Sequence, residues 1–282
     1  MIVVQISDTH IDKPGQYVYG HFDTGASLRR AINLINSMSP PPDLVLHTGD
    51  LASHGSVEAY THFREILTAL KVPFRAIPGN HDERGAFRDA FSDTDWIPQD
   101  GTFLHYVIDH LPVRIICCDS VIADDVPGEL CPERLAWLKD RLEEAPSMPT
   151  IVAMHHPPFA SGMTGTTSEG LRCGGPELAA LLRHHPQVQR LVAGHIHRPI
   201  TTAVGGTIAY SAPTTCYPFA LDMGEERVLR IINEPPAIAV HAWLDEAGPE
   251  GAGLITHTVP IGEWGEPLML RKNGQRVLNA DH

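Results

Sequence analysis

The sequence has little positive charge. Its 21 Lys and Arg residues stand against 34 Asp and Glu residues, and the formal net charge is −13. An extended nucleic-acid groove and an anionic membrane surface both require clustered Lys and Arg. We therefore expect neither a nucleic-acid polymer nor a membrane as a partner. A small anionic substrate would need positive charge from another source, and bound metal ions provide such charge.

Cysteine pairs and long apolar runs are also lacking. The five cysteines are an odd number without a C-x-x-C pair: Cys117, Cys118, Cys131, Cys173 and Cys216. This spacing indicates neither a disulfide framework nor a thiolate zinc site, and it suits a reducing compartment. The first residues carry no basic segment typical of a signal peptide. No apolar stretch approaches the length of about 18 residues that spans a bilayer. We expect a cytoplasmic protein.

Short apolar runs alternate with amphipathic stretches through most of the chain. The predicted strands are Ile2–Ile6, Leu44–Leu46, Phe74–Ile77, Arg114–Cys117, Ile151–Met154 and Leu191–Ala193. The predicted helices between them are Ala26–Met38, Val57–Leu70, Pro132–Glu144 and Pro176–His184. This alternation predicts a layered α/β core.

The chain becomes rich in predicted strands after Gly194. Ile200–Val204 and Thr207–Tyr210 flank a Gly-Gly pair and predict a hairpin. Further strands are predicted at Val228–Ile232, Ile238–Trp243 and Leu254–Val259. A last hairpin is predicted from Leu268–Leu270 and Arg276–Leu278 around Asn273-Gly274. A hairpin so close to the terminus has little core of its own, so we expect it to dock on another subunit.

Histidine is frequent, at 17 residues, and several histidines follow predicted strands together with carboxylates and an amide. Five segments share this placement: Asp8-Thr9-His10, Gly49-Asp50, Gly79-Asn80-His81-Asp82, His155-His156 and Gly194-His195-Ile196-His197. The carboxyl ends of strands in an α/β sheet face a common crevice, where ligands bind. Carboxylate, amide and imidazole groups together suit first-row metals such as Mn, Fe, Co and Zn.

Each segment alone also has an ordinary structural explanation. D-x-H occurs by chance, Gly-Asp and Gly-Asn-His-Asp are common turns, and His155-His156 can simply end a strand. His156 follows His155 directly and should point away from it, so its expected role is either packing or support of a neighbouring ligand. Asp82 can orient an imidazole or cap the next helix. The complete set, after five separate strands, favours metal binding over coincidence.

The ordered motifs D-x-H, G-D, G-N-H-D, H-H-P-P and G-H-x-H resemble those of the calcineurin-like metallophosphoesterases. The resemblance covers roughly residues 1–220. A narrower resemblance, to the bacterial class III branch of cyclic-nucleotide phosphodiesterases and glycerophosphodiesterases, rests on further residues. These are Tyr19-Gly20, Asp23, His155–Pro158, Cys216-Tyr217 and Asp222.

The resemblance implies a four-layer α/β/β/α sandwich. Residues 1–220 would form the catalytic domain. Residues 221–282 would form a β-rich extension that completes the second sheet and is a candidate oligomer contact.

The resemblance also implies two divalent or trivalent ions of Mn, Fe, Zn or Co. One ion would be held by Asp8, His10, Asp50 and His197. The second would be held by Asp50, Asn80, His155 and His195, so that Asp50 bridges the two. His81 would not bind metal but would contact the phosphate and assist the leaving group.

We expect hydrolysis of small phosphodiesters by attack of a metal-bridging hydroxide, with His81 as the catalytic acid. Asn80, His81, Tyr19 and His21 are the expected substrate contacts. Residues 11–24 and 157–175 are the loops expected to set specificity, although an ordinary surface loop explains the first equally well. The family and the tail hairpin together favour a homodimer or a higher homo-oligomer.

The alternative enzyme is a phosphomonoesterase, either a nucleotidase or a protein phosphatase. A dianionic monoester favours an extra cation near the metals, and the nearby candidates are Lys13, Arg84 and Arg198. A non-catalytic module of this family would have lost ligands, whereas all seven and His81 are present. A nuclease is disfavoured because the chain lacks a basic face.

Overall fold

The computed structural model describes residues 1–166, 170–249, 251–265 and 268–277. The first part of the chain forms β1 (Ile2–Ile6), α1 (Thr24–Ser37), β2 (Leu44–His47), α2 (Val57–Leu67), β3 (Phe74–Ala76), α3 (Arg84–Ala90), β4 (Tyr106–Ile108) and β5 (Arg114–Cys117). The middle part forms β6 (Gly128–Glu129), α4 (Pro132–Glu144), β7 (Thr150–Ala153), a 3₁₀ turn (Thr164–Thr166), β8 (Leu171–Cys173), α5 (Gly175–Arg183) and β9 (Val188–Ala193). The last part forms β10 (Ile200–Val204), β11 (Thr207–Ser211), β12 (Ala237–Gly248), β13 (Gly251–Pro260), β14 (Arg271–Lys272) and β15 (Gln275–Arg276).

Two large sheets organise these strands. The first has the order β13-β12-β1-β2-β3, and the second has the order β10-β11-β9-β7-β5-β4. In the first sheet β1, β2 and β3 are parallel, and in the second β5, β7 and β9 are parallel. The parallel strands of each sheet therefore end at one edge, which is where a ligand site is expected.

Apolar side chains at alternate strand positions form three hydrophobic cores, because successive side chains point to opposite faces of a sheet. Val4 of β1 packs in one core with Leu28 of α1. Its neighbour Val3 packs in a second core with Ile115 of β5, between the two sheets. Leu138 of α4 belongs to a third core on the outer face of the second sheet. The four-layer α/β/β/α sandwich predicted from the sequence is confirmed.

The C-terminal extension is joined to the first strand of the chain. β12 pairs antiparallel with β1, with Val240 opposite Val4, and β13 pairs with β12. The extension therefore completes the first sheet, whereas the sequence-based expectation was the second. The division of the chain near residue 220 stays a prediction.

Two other expectations for the extension have different outcomes. Val228–Ile232 is not a strand: it makes only an isolated bridge between Ile231 and Phe219. Leu229 and Ile232 are exposed, so this segment has no buried face that would stabilise a strand. In the last hairpin, the turn at Asn273-Gly274 is present and both of its residues have positive φ. The paired residues are 271–272 and 275–276, closer to the turn than predicted, and Leu278 lies outside the described residues.

Short elements are what the sequence patterns missed. α3 has 7 residues and β4 has 3, too few to show a clear periodicity. No helix in the described part of the chain is both long and apolar enough to cross a bilayer.

Candidate metal centre

All seven predicted ligands follow strand ends of the two sheets. From the first sheet come Asp8 and His10 after β1, Asp50 after β2 and Asn80 after β3. From the second sheet come His155 after β7 and His195 and His197 after β9. Their side chains meet where the carboxyl ends of both sheets face each other, and the structure brings all seven together.

Five of these seven residues have a left-handed backbone. Their φ values are 54° at Asp8, 44° at His10, 58° at Asp50, 72° at His195 and 55° at His197. L-residues rarely adopt this conformation, which costs of order 1 kcal/mol each and concentrates at functional sites. Hydrogen bonds between the loops hold it in place: the backbone N–H groups of Asp8 and His10 donate to the carbonyls of Gly49 and Asp50, both at 3.0 Å.

The first set of donor atoms comes from Asp8, His10 and His197. The Nε2 atoms of His10 and His197 are 3.0 Å apart, and His197 Nε2 lies 3.5 Å from Asp8 Oδ1. All three side chains are buried. Asp50 Oδ2 lies 3.7 Å from His10 Nε2 and so adds a fourth oxygen to this set.

The second set comes from Asn80, His155 and His195. His155 Nε2 lies 3.2 Å from Asn80 Oδ1 and 3.2 Å from His195 Nδ1. Asp50 Oδ2 is 3.4 Å from the same His155 nitrogen. One oxygen of Asp50 therefore stands between both sets, where a bridging carboxylate would lie.

Backbone carbonyls fix which nitrogen of two rings offers its lone pair. His155 Nδ1 is 2.7 Å from the carbonyl oxygen of Thr48, and His197 Nδ1 is 2.9 Å from that of Tyr217. A carbonyl only accepts, so each Nδ1 must carry the hydrogen and each neutral ring points its Nε2 lone pair into the cluster. Lone pairs that converge in a buried space repel one another unless a cation lies among them. The donor set therefore fits two metal ions.

The electrostatics of the cluster also suits cations. Burial lowers the pKa of His10 well below its usual value and that of His195 to about 3, so both rings are neutral at pH 7. Burial raises the pKa of Asp50, but the facing His155 and His81 outweigh it and hold the pKa well below the usual range. Burial disfavours a charged His155, yet the Asp50 carboxylate raises the pKa of His155 to about 9. A metal ion would thus replace one proton here.

His81 differs from the seven because its side chain is exposed. Its backbone N–H donates to Asp50 Oδ1 at 2.8 Å, and its ring meets the His10 ring edge-on with centroids 4.7 Å apart. Its Nδ1 is 2.8 Å from the carbonyl oxygen of Ser53, so Nδ1 carries the hydrogen. The other ring nitrogen is left for a ligand above the cluster.

Comparison with known proteins decides what kind of cluster this is. Residues 1–199 match the family model of calcineurin-like phosphoesterases. The chain belongs to the calcineurin-like phosphoesterase family. This family implies a dinuclear metal centre, for which the two donor sets supply the groups, and its enzymes are hydrolases.

Relatives and a solved structure agree with this family. A protein of Arcobacter nitrofigilis, named probable glycerophosphodiester phosphodiesterase GpdQ, is 38% identical over 267 residues, or 95% of this chain and 96% of that one. The 3',5'-cyclic adenosine monophosphate phosphodiesterase CpdA of Pseudomonas aeruginosa is 33% identical over 78% of each chain. A dimetal phosphatase from Danio rerio shares the fold, with a TM-score of 0.60 and 14% identity over 93% of this chain and 99% of that one.

His156 lies next to the cluster but is hydrogen-bonded within the protein. His156 has its Nδ1 at 2.8 Å from Ser120 Oγ and its Nε2 at 3.0 Å from the carbonyl oxygen of Val126. Both ring nitrogens are therefore engaged although the ring lies beside His155 and His195, which supports the packing role expected from the sequence.

Asp82 takes neither role expected for it. Its carboxylate accepts hydrogen bonds from the backbone of Leu51 and Gly79 and from the hydroxyl of Tyr60, at 3.2, 2.9 and 2.8 Å. The cap of α3 is instead Glu83. Asp82 ties the loop of Asp50 to the loop of Asn80, a role that no local pattern reveals because its partners are distant backbone groups.

An aromatic wall borders the first donor set. Tyr217 stacks on His10 with ring centroids 5.3 Å apart, and Tyr19 and Phe22 meet Tyr217 at 5.6 and 5.2 Å. Tyr19, a predicted substrate contact, thus lies at the site and is exposed. His21 is exposed as well, and among the described residues no hydrogen bond or ring contact links its side chain to the cluster. The sequence motif pointed to Tyr217 but not to its place against His10.

Proposed function

We propose that this phosphoesterase hydrolyses small phosphodiesters with two first-row metal ions bound by its two donor sets. Asp8, His10, Asp50 and His197 would hold one ion, and Asp50, Asn80, His155 and His195 the other. The observation that carries this proposal is the pair of buried lone-pair clusters that share Asp50 Oδ2. When bound, the two ions would activate water and neutralise the charge that grows on the phosphoryl oxygens.

Two of the three cations nearest to the ligands in sequence are ion-paired inside the protein. Arg84 forms a bidentate pair with buried Asp119, at 2.6 and 2.8 Å. Arg198 is paired with Glu234 at 2.9 Å. These two charges are already neutralised, and the third candidate, Lys13, is exposed on the loop after His10. A dianionic monoester favours an additional free cation near the metals, so the pairing of Arg84 and Arg198 favours a diester. The names of the relatives, which include glycerophosphodiester and cyclic-nucleotide phosphodiesterases, support the same substrate class.

His81 is the proposed proton donor to the departing alcohol. Its Nδ1–H is held by the carbonyl of Ser53, so a protonated ring presents Nε2–H to the ligand. This hydrogen bond fixes the ring plane, and the backbone bond to Asp50 fixes its position relative to the donor sets. General acid catalysis of this kind contributes about 10²–10⁴-fold to the rate. Asn80 and Tyr19 are the other proposed substrate contacts, and His21 is proposed on its sequence position alone.

A turnover panel on metal-replete protein tests the proposal. It compares 3',5'- and 2',3'-cyclic nucleotides, glycerophosphodiesters and the activated diester bis(4-nitrophenyl) phosphate with the matched monoesters. We expect turnover of diesters that is lost on chelation and restored by adding metal. Hydrolysis of monoesters alone would show that the diesterase assignment is wrong.

Self-association through the C-terminal hairpin is a further part of the proposal. Trp264, Leu268, Met269, Leu270 and Val277 are exposed apolar side chains on or near this hairpin, and such a patch is typical of a subunit contact. Sedimentation across a range of concentrations tests it, and a monomer at every concentration would contradict it.

We also propose that the enzyme is cytoplasmic, because all five cysteines are free thiols.

A further inference from the structure

A cavity of about 470 Å³ opens beside His81. Its lining includes Ser53, His54, Asn80, His81, Val121 and Asp124. The volume lies in the range of small-molecule sites in proteins. Because His81 is shared with the centre, a group bonded to a phosphate above the metals and facing His81 would extend into this cavity.

The charges around the cavity are not equally available to a ligand. The Arg84 guanidinium, which also lines it, is engaged by Asp119 and by the carbonyl oxygen of Val121. The Glu83 carboxylate accepts hydrogen bonds from the backbone of Gly85 and Ala86, at 2.9 and 2.7 Å, and so caps α3.

Two lining carboxylates are left. Asp82 is buried and accepts several hydrogen bonds from the protein. Asp124 is exposed, and no hydrogen bond or ion pair to its carboxylate occurs among the described residues. Among the described residues that line the cavity, Asp124 is therefore the carboxylate that is available to a ligand.

We propose that this cavity holds the alcohol that is released from the diester, and that Asp124 makes the site select an alcohol with a cationic group. The proposal rests on the proposed function, because it takes His81 as the group that faces the leaving oxygen. A positively charged ammonium group in the cavity would lie near a free carboxylate, whereas a carboxylate or phosphate on the alcohol would be repelled.

The reaction in this orientation is a hydrolysis. The oxygen of water forms a new bond to phosphorus, and the bond from phosphorus to the alcohol oxygen breaks with its electron pair on that oxygen. His81 gives its proton to the alcohol oxygen, and the proton lost by the attacking water replaces it on His81. The products are the cationic alcohol and a phosphomonoester that keeps the other substituent.

Two diesters of equal shape test the selection. The first is glycerophosphocholine, and the second carries 3,3-dimethylbutanol in place of choline, so that carbon replaces the charged nitrogen. For the wild-type holoenzyme we expect a kcat/KM about fivefold higher on the choline diester, the size of one partly exposed ion pair. The advantage should shrink as salt is raised. The expected products are choline and glycerol 3-phosphate rather than phosphocholine and glycerol.

Asp124→Asn removes the charge at nearly constant shape and should bring the two kcat/KM values together. Asp109→Asn is the matched control: Asp109 is an exposed loop residue outside the cavity, and the choline preference should persist there. Equal kcat/KM values in the wild type, or release of glycerol, would overturn the proposal without touching the diesterase function. Absence of turnover by the wild-type holoenzyme on every diester, including bis(4-nitrophenyl) phosphate, would overturn both this proposal and the proposed function.

Discussion

Three glycines leave just enough space for the ligands. A Cβ atom built on Gly79 would lie 2.2 Å from Asp50 Oδ1, and one on Gly49 would lie 2.3 Å from His155 Nδ1. At Gly194 the nearest atom, Ser7 Oγ, would be 2.1 Å away. Real side chains do not approach so closely, so the loops meet around the cluster only because these three residues lack a side chain.

Gly79→Ala therefore isolates the effect of crowding, because the backbone of Gly79 does not need a positive φ. The added methyl group must displace the Asp50 carboxylate that both donor sets share. We expect loss of bound metal, measured by elemental analysis, and at least about a 10²-fold fall in kcat, as for a misplaced catalytic group.

Gly175→Ala is the control, since nothing lies within 4 Å of its Cβ position and its φ is also ordinary. Metal content and turnover should equal those of the wild type. Full metal content in Gly79→Ala would contradict the expected displacement of Asp50.

His81→Ala separates proton transfer from metal binding. The seven proposed ligands are unchanged in this variant, so metal content should match the wild type while kcat on unactivated diesters falls by about 10²–10⁴-fold. The loss should be smaller for diesters with a good leaving group such as 4-nitrophenolate, which needs no proton. His184→Ala, an exposed histidine at the end of α5, should change neither quantity. A loss of metal in His81→Ala would make His81 a structural residue.

At the scale of elements, Gln5 connects the strands that carry the site. Its Nε2 donates to Thr48 Oγ1 at 2.8 Å and to the carbonyl oxygen of Ala193 at 2.9 Å. Its Oε1 accepts from His241 Nε2 at 3.0 Å. Four strand segments thus meet on one buried amide: β1, the end of β2, the end of β9 in the opposite sheet, and β12.

Gln5→Leu keeps the bulk of the side chain but leaves buried partners without hydrogen bonds. Each such buried polar group costs about 1–3 kcal/mol, so we expect the free energy of unfolding to fall by roughly 2–4 kcal/mol. Chemical denaturation measures it. Gln99→Leu is the control because Gln99 is exposed, and it should shift the stability by less than about 0.5 kcal/mol. Equal stability of Gln5→Leu and the wild type would show that the amide is not needed.

The elements that the sequence predicted well are those with a repeated pattern. Strands such as Ile2–Ile6 and helices such as Pro132–Glu144 match their predicted bounds because many apolar residues contribute to each signal. α3 and β4 are too short for that. The pairing of β12 with β1 joins residues far apart in the chain, and no local pattern encodes such a partner.

The seven residues whose side chains meet in the cluster could be predicted because motif order carries information that composition does not. The left-handed backbone of five of them, by contrast, could not be predicted, because Asp and His adopt this conformation more often than most residues but still only in a small minority of cases. The hydrogen bond between His81 Nδ1 and the Ser53 carbonyl could not be predicted either, because every residue has a carbonyl and only the fold determines which one lies nearby.

At the scale of the whole molecule, histidines buried in neutral form make stability depend on pH. Burial, followed by the nearby Arg190 charge, lowers the pKa of His241 to about 3, and burial lowers that of His47 to about 3 as well. In the unfolded chain both would titrate near 6.5. The unfolded state therefore binds more protons below pH 6.5, and stability falls as the pH drops from 6.5 towards 3.

The expected loss between pH 7 and pH 5 is about 2 kcal/mol for each such histidine. Urea denaturation of metal-free protein at the two pH values measures it. His241→Gln should lose less stability over this interval than the wild type, because one titrating group is gone. His257→Gln, an exposed neighbour on β13, should show the wild-type dependence. An unchanged pH dependence in His241→Gln would refute the assignment.

The pairing of β12 with β1 has a consequence for how the chain emerges from the ribosome. β1 is synthesised long before β12, which begins only at Ala237, so one edge of β1 stays unpaired until that segment has been made. An unpaired apolar strand edge is prone to bind other chains. Nascent chains released before Ala237 should therefore need a chaperone to stay dispersed. The cluster would become competent to load metal only after β12 has been synthesised, because Asp8 and His10 extend from β1.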